Sequence, residues 1–331
     1  MTAYGHSRLF LRILAFGLVV GFALWCALVL REDLARISLA TLWHSWDLVV
    51  VAIALSLTNY ALRSLRWYWY LKQLGHRLDA GYAALTYVAG FAFTLSPGKL
   101  GEVIRAQYYR KAGIPFRDVA SAVLIERLLD LFAMVALATL TTSAFPRYSG
   151  MVWLVGCVIG AGLILQTLLP WEGIANFFRS TQVAPAVIKR IGSFTAETLT
   201  NARPLLTVQA TAFGLLVSVA AWGLEGLGVG VLSGMSDAAQ VDTTVAIGIY
   251  GTAVLVGAVS FLPGGLGSTE AVMSVLLVSQ GYPVSDAVLI TLTCRFATLW
   301  LAVALGWLAI LVLHRQFNMY LTLTARSHER A

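Results

Sequence analysis

Two arginines and two proline–glycine turns carry the chemistry in this sequence. Arg127 and Arg295 lie in long apolar stretches, nine residues beyond Asp118 and Asp286. At 1.5 Å per helical residue that is ~13 Å of depth, near the middle of a hydrocarbon core. A charge there costs roughly 2.5–3.5 kcal/mol even on the lenient insertion scale, so it must face a partner or a watery cavity. Asp130 is a ready partner for Arg127 at i+3, whereas Glu126, adjacent in sequence, is expected to point elsewhere. Arg295 has no acid within four residues and must look across the bundle, to Glu270 or Glu225. Such arginines serve either as structural ion pairs or as contacts for an anionic head group, and the sequence leaves both readings open.

The turns are the Pro97-Gly98-Lys99-Leu100-Gly101-Glu102 and Pro263-Gly264-Gly265-Leu266-Gly267 segments. Each precedes a new half-helix, whose first free N–H groups point at the turn and carry partial positive charge. That is a natural anion site. Gly98, Lys99, Gly101 and Arg105 would form it in the first copy, with Gly264, Gly265 and Gly267 in the second. The plainer alternative is a pair of kinks capped by Glu102 and Glu270. A nucleotide P-loop is excluded, because Leu100 follows Gly98-Lys99 and the upstream glycine spacing is wrong.

The elements around these residues must be membrane helices. Of 331 residues, 59% are hydrophobic and 12% charged, about half the charge of a soluble domain. Full spans are expected at about 9–30, 46–74, 117–143, 150–170, 204–235 and 285–314. Regions 80–112 and 241–280 are apolar but broken at their Pro-Gly turns, and each reads as two half-helices. If both are re-entrant hairpins, one side collects Arg8, Arg12, Arg63, Arg66, Lys72, Arg77, Arg110, Lys111, Arg117, Arg179, Lys189, Arg190, Arg203, Arg315, Arg326 and Arg330. The other side keeps Arg31, Arg36 and Arg147. That asymmetry favours hairpins, with both termini in the cytoplasm. The net charge of +7 is then an orientation signal, and no nucleic acid is implied.

The two broken regions match each other. Pro97 aligns with Pro263, Gly98 with Gly264, Leu100 with Leu266 and Gly101 with Gly267. With Ser268-Thr269 inserted, Glu102 aligns with Glu270, Gly113 with Gly281, Pro115 with Pro283, Asp118 with Asp286 and Arg127 with Arg295. Three intervening spans make the copies antiparallel, a recurrent transporter plan. The expected architecture is an all-α polytopic protein: six full helices plus two broken hairpins in an inverted repeat. Its parts are a first span and external loop (9–45), repeat 1 (46–143), a linking span and cytoplasmic loop (144–203), repeat 2 (204–314) and a cytoplasmic tail (315–331).

Other features read more plainly. Cys26, Cys157 and Cys294 are far apart in sequence and read as small buried hydrophobes. The five histidines do not cluster, so neither a metal nor any other cofactor is expected. Arg63 and Arg66, beside Trp67 to Tyr70, read as snorkelling residues in an aromatic belt. Asp118 and Asp286 read as helix N-caps. The loop 171–203 mixes aromatic and basic residues and reads as an amphipathic surface segment.

The RSLRW segment ending the second span, SPGKLGE, GIPFRDVASAVLIERLLDL and FLPGGLGSTE together resemble the lysylphosphatidylglycerol synthase transmembrane-region family, whose members are also described as flippase-like. The resemblance covers residues 10–314 and implies a lipid-translocating bundle. In the synthases this region is fused to a soluble aminoacyl-transferase domain. With 17 residues after the last span, aminoacyl transfer does not carry over and no enzyme activity is expected. Stand-alone members accompany genes for several lipid classes, so the substrate does not carry over either.

The leading expectation is a flippase or exporter of an anionic or head-group-bearing lipid in the cytoplasmic membrane, with membrane lipid as its substrate. A lipid-modifying enzyme is a candidate partner, and homo-oligomerisation is open. The alternative is a secondary transporter of a small anion, driven by protons through Glu102, Glu126 or Glu270. A membrane enzyme of lipid-linked sugars and an accessory subunit rank lower.

Overall fold

The computed structural model describes residues 43–95, 105–142, 144–180, 186–260 and 262–328. The expected first span, 9–30, and the turn residues Pro97, Gly98, Lys99, Gly101 and Glu102 lie outside them. Among the described residues every regular element is helical. They are α1 (Trp46–Gln73), α2 (Ala80–Ala89), α3 (Arg105–Lys111), α4 (Phe116–Ala138), α5 (Ser149–Leu168), α6 (Trp171–Ser180), α7 (Ala186–Asn201), α8 (Val208–Leu232), α9 (Thr243–Val259), α10 (Ser268–Ser279), α11 (Val284–Arg295) and α12 (Leu301–His328). A π-helical segment, Phe296–Trp300, joins α11 to α12. The last helix runs on past 314 into the segment expected as the tail.

Three of these helical stretches are long and apolar enough to cross a membrane: Trp46–Gln73, Val208–Met235 and Val284–Arg315. Their surfaces agree with that solvent. Leu65, Leu216, Phe296, Trp307 and Leu311 are exposed, which in water would form a large apolar patch.

The turns before α4 and α11 are built alike. In the first, the N–H groups of Gly113 and Ile114 donate to the carbonyls of Arg110 and Tyr109. In the second, those of Gly281 and Tyr282 donate to Val278 and Leu277. This is the Schellman pattern, which needs a left-handed residue after the helix; Gly113 (φ 81°) and Gly281 (φ 98°) supply it. Pro115 and Pro283 then stand at the N-caps. Asp118 and Asp286 are thus not the caps expected of them; they sit one turn inside. The proline, already extended, takes the boundary position.

From there the two aspartates reach outward. His76 Nε2 lies 2.8 Å from Asp118 Oδ2, and Ser236 Oγ donates to Asp286 Oδ2 at 2.5 Å. Each contact joins the residues just before a broken region to the first turn after it. The chain therefore leaves and returns at one end of the bundle in both cases. Ser121 Oγ donates to the Thr198 carbonyl on α7 at 2.7 Å, which puts α7 at the His76 end. Between α7 and Ser236 runs α8, ~37 Å long at 1.5 Å per residue, so the Ser236 end is the opposite one.

Two apolar cores flank the centre. One gathers Trp67, Tyr70, Tyr87, Tyr109, Ile125 and Leu129. The other gathers Leu137, Val229, Ile249, Met273, Leu277 and Ile290. Helix α8 binds them, packed along α1 and against α4 and α9. Asn59 Nδ2 on α1 donates to the Ala221 carbonyl on α8 at 2.7 Å. At the outer edge, Gly306 lets α12 lie on the backbone of the short turn Gly90–Phe93, where any Cβ would overlap Ala92 N.

The expected surface loop 171–203 folds as the hairpin α6–α7. It exposes Phe177, Val187 and Ile191. Of the cysteines, Cys294 is buried as expected, but Cys157 is exposed on α5.

Candidate functional site

The first half of the site is an ion cluster around α4. Spacing of four places Glu126 and Asp130 on one helix face. Spacing of three does the same for Arg63 and Arg66 on α1. The two faces meet. Arg66 donates to Glu126 at 3.1 Å and to Asp130 at 2.9 Å. Arg105 donates to Glu126 Oε2 at 2.9 Å, and Arg63 lies 3.8 Å from Glu126 and 3.7 Å from Asp130. Arg127 lies 3.5 Å from Asp130, as its spacing predicts, and also 3.3 Å from Glu126. Glu126 does not point elsewhere: it is the centre of the cluster, fully buried beneath four guanidiniums.

Arg63 and Arg66 therefore do not snorkel to a membrane surface. Both are buried, drawn inward because α4 offers them two carboxylates. A buried charge is tolerable only when paired and hydrogen-bonded, and the neighbours complete the bonds. Tyr87 donates to Glu126 at 2.5 Å, while Ser218 on α8 bonds both Arg66 and Asp130. Arg105 lies over the ring of Trp67 at 4.0 Å, and Arg63 over that of Trp222 at 4.8 Å. Four guanidiniums against two carboxylates leave this wall positive.

The second half is smaller and differently balanced. After α9 the backbone breaks at Pro263–Gly265, where Gly264, Gly265 and Gly267 all take positive φ. Glycine is needed for that path. Gly265 and Gly257 also approach so closely that the Cα of Gly257 lies 3.1 Å from where a Gly265 Cβ would stand. Arg295 Nε donates to Glu270 Oε1 at 2.6 Å, and its Nη2 to the Gly264 carbonyl at 2.7 Å. Glu270 Oε2 in turn accepts from Gly267 N–H at 2.6 Å, capping α10. A resident carboxylate thus already occupies this helix N-terminus. Glu225 is not the ion-pair partner of Arg295; it accepts from the hydroxyl of Tyr250.

Between the halves lies a cavity of about 360 Å³. Arg63, Arg127 and Asp130 line it from one side and Gly264, Gly265 and Arg295 from the other, with Tyr60, Trp222, Glu225 and Tyr250 between them. Its wall also includes Val259 and Leu262, which are 57% and 41% exposed. The cavity therefore reaches the molecular surface beside apolar side chains. Arg66, Arg105, Glu126 and Glu270 stand behind the lining.

Several of these residues were not expected from sequence. Tyr60 donates to the Thr298 carbonyl, inside the π-helical segment that follows Arg295. Such segments recur at functional positions.

A family model described as the lysylphosphatidylglycerol synthase TM region matches residues 11–306. The chain belongs to that family. It is 29% identical over 298 residues to a UPF0104 membrane protein of Methanothermobacter thermautotrophicus, covering 85% of this chain and 87% of the relative. A UPF0104 membrane protein of Methanocaldococcus jannaschii is 22% identical over 324 residues, covering 91% and 95%. UPF0104 membrane proteins belong to the same family. The matched residues take in both halves of the site and every lining residue of the cavity.

Proposed function

We propose that this chain is a flippase or exporter that moves an anionic or head-group-bearing lipid across the cytoplasmic membrane. One observation carries the reading: a guanidinium-lined cavity inside an apolar helix bundle reaches the surface beside Val259 and Leu262. A lipid can place its head group among the arginines while its chains stay outside, along apolar side chains. A volume of about 360 Å³ is at the lower end of ligand pockets and suits a head group without its acyl chains. A soluble anion would instead need a polar route from one aqueous face.

The turn geometry supports an inverted repeat. The matched Schellman turns and the His76–Asp118 and Ser236–Asp286 contacts at opposite ends are what two antiparallel re-entrant units would produce. Such units supply two similar half-structures for inward- and outward-facing states. A lipid-modifying enzyme is the partner this activity would need on the supplying side.

The test is reconstitution. Proteoliposomes containing fluorescent phospholipids are treated with a membrane-impermeant quencher. Faster loss of inner-leaflet signal than in empty vesicles is expected, with the excess lost in Arg127→Gln/Arg295→Gln. Equal rates with and without protein across anionic lipids would overturn the proposal. So would substrate-coupled proton movement with a soluble anion and none with lipid.

A further inference from the structure

Resting on that reading of the cavity, we infer that it selects a head group carrying a neutral hydroxyl beside its phosphate, such as a glycerol or sugar phosphate. Two oxygens in the cavity wall carry the argument. Asp130 Oδ1 accepts from Arg66 at 2.9 Å and from Ser218 at 3.1 Å. Asp130 Oδ2 is buried and accepts no hydrogen bond among the described residues. Its nearest cations, Arg127 Nη2 at 3.5 Å and Arg63 Nη2 at 3.7 Å, supply attraction without a hydrogen bond. Thr94 Oγ1, which belongs to the same cavity lining, is also buried without a hydrogen-bond partner among the described residues.

An ionised carboxylate only accepts and a threonine hydroxyl does both. A ligand hydroxyl can donate to the first and can either donate to or accept from the second. An ammonium would also donate, but three guanidiniums stand within 4 Å of Asp130 and repel it. A phosphate cannot sit on Asp130 for the opposite reason; it belongs against the guanidiniums of Arg63, Arg127 or Arg295. A ligand hydroxyl can make the hydrogen bonds that a water molecule would make at those oxygens, so displacing such a water loses none of them.

Native mass spectrometry of the full chain in detergent tests this, with phosphatidylglycerol, phosphatidylinositol, phosphatidic acid and phosphatidylethanolamine of matched acyl chains in competition. Hydroxyl-bearing anionic lipids should be retained about tenfold over phosphatidic acid, the effect of one hydrogen bond to a charged acceptor. Thr94→Val, which leaves the ion cluster intact, should cut that preference several-fold without lowering phosphatidic acid binding. Asp130→Asn should abolish it. If Asp130→Asn does not accumulate, Thr94→Val still decides. Equal retention of phosphatidylglycerol and phosphatidic acid, or a Thr94→Val preference equal to wild type, would overturn the inference while leaving lipid transport standing. Displacement by free glycerol phosphate with no lipid retained would keep the hydroxyl-plus-phosphate chemistry and overturn the lipid reading. Binding of no probe at all would overturn both.

Discussion

Arg295 donates to Glu270 at 2.6 Å while the same guanidinium holds the Gly264 carbonyl at 2.7 Å. One side chain on α11 thus fastens both the capping acid of α10 and the broken backbone before it. Removing either partner leaves a largely buried charge without its counter-ion. Arg295→Ala and Glu270→Ala should each destabilise by about 3 kcal/mol. The double variant should lose less than the sum, with a coupling of about 1–3 kcal/mol. Thermal melts of the four proteins in one detergent give the cycle. Strictly additive losses would show that the two residues do not stabilise the break together.

The α4 cluster should separate stability from transport. Glu126 is fully buried and lies within 4 Å of Arg63, Arg66, Arg105 and Arg127. Glu126→Ala leaves their charges facing one another and should cost about 3–5 kcal/mol, seen as poor yield and a low melting temperature. Arg127 is the most accessible of the four, at 22% of its side chain. Arg127→Gln still leaves both carboxylates paired with other guanidiniums, so it should melt closer to wild type than Glu126→Ala yet slow head-group-dependent transport severalfold. Size-exclusion profiles beside flux measurements distinguish the two. Equal melting temperatures for both variants would contradict this account.

Much of this was legible in the residues, for physical reasons. Deep arginines demanded partners, and the i+3 spacing of Arg127 and Asp130 named one. The Pro, Gly and Asp matches between the copies announced turns that are now hydrogen bonded alike. The part played by α1 was harder to read, although a signal was present. Ser56, Asn59, Arg63 and Arg66 recur at helical spacing in an apolar helix, and all are buried. That is an inward polar stripe. Reading Arg63 and Arg66 as snorkelling treated the aromatic neighbours as a belt, whereas Trp67 and Tyr70 are fully buried packing. Which carboxylates a guanidinium meets depends on how α1 and α4 cross, and no single helix records that. The exposed Cys157 and the π-helical segment after Arg295 depend on neighbours in the same way.

Close backbone approach at the cavity gives a suppressor prediction. A Cβ on Gly257 would collide with Thr269 Oγ1, while the next atoms, Thr269 Cβ and Gly265 Cα, stand at 3.4 and 3.5 Å. Gly257→Ala should therefore destabilise by about 1–3 kcal/mol, the usual cost of overpacking. Adding Thr269→Ala removes the colliding oxygen and should restore most of that loss. Melting temperatures of the single and double variants check it. A double variant less stable than Gly257→Ala alone would mean that the Thr269 hydroxyl matters more than the space it fills.

The end-to-end relationship of the broken regions can be tested in intact membranes. His76 touches Asp118, and α7 touches α4 one turn further along, so position 76 and the α6–α7 hairpin share an end. Ser236 touches Asp286 at the other. Single cysteines at positions 76, 189 and 237, in a background lacking Cys26, Cys157 and Cys294, should be labelled by a membrane-impermeant maleimide from two sides. Positions 76 and 189 should react together on the basic, cytoplasmic side, because Lys72, Arg110, Arg117 and Arg190 gather there and positive charge stays inside. Position 237 should react only from outside. Labelling of 76 and 189 from opposite sides would require region 80–112 to cross the membrane once, and the His76–Asp118 contact could not then form.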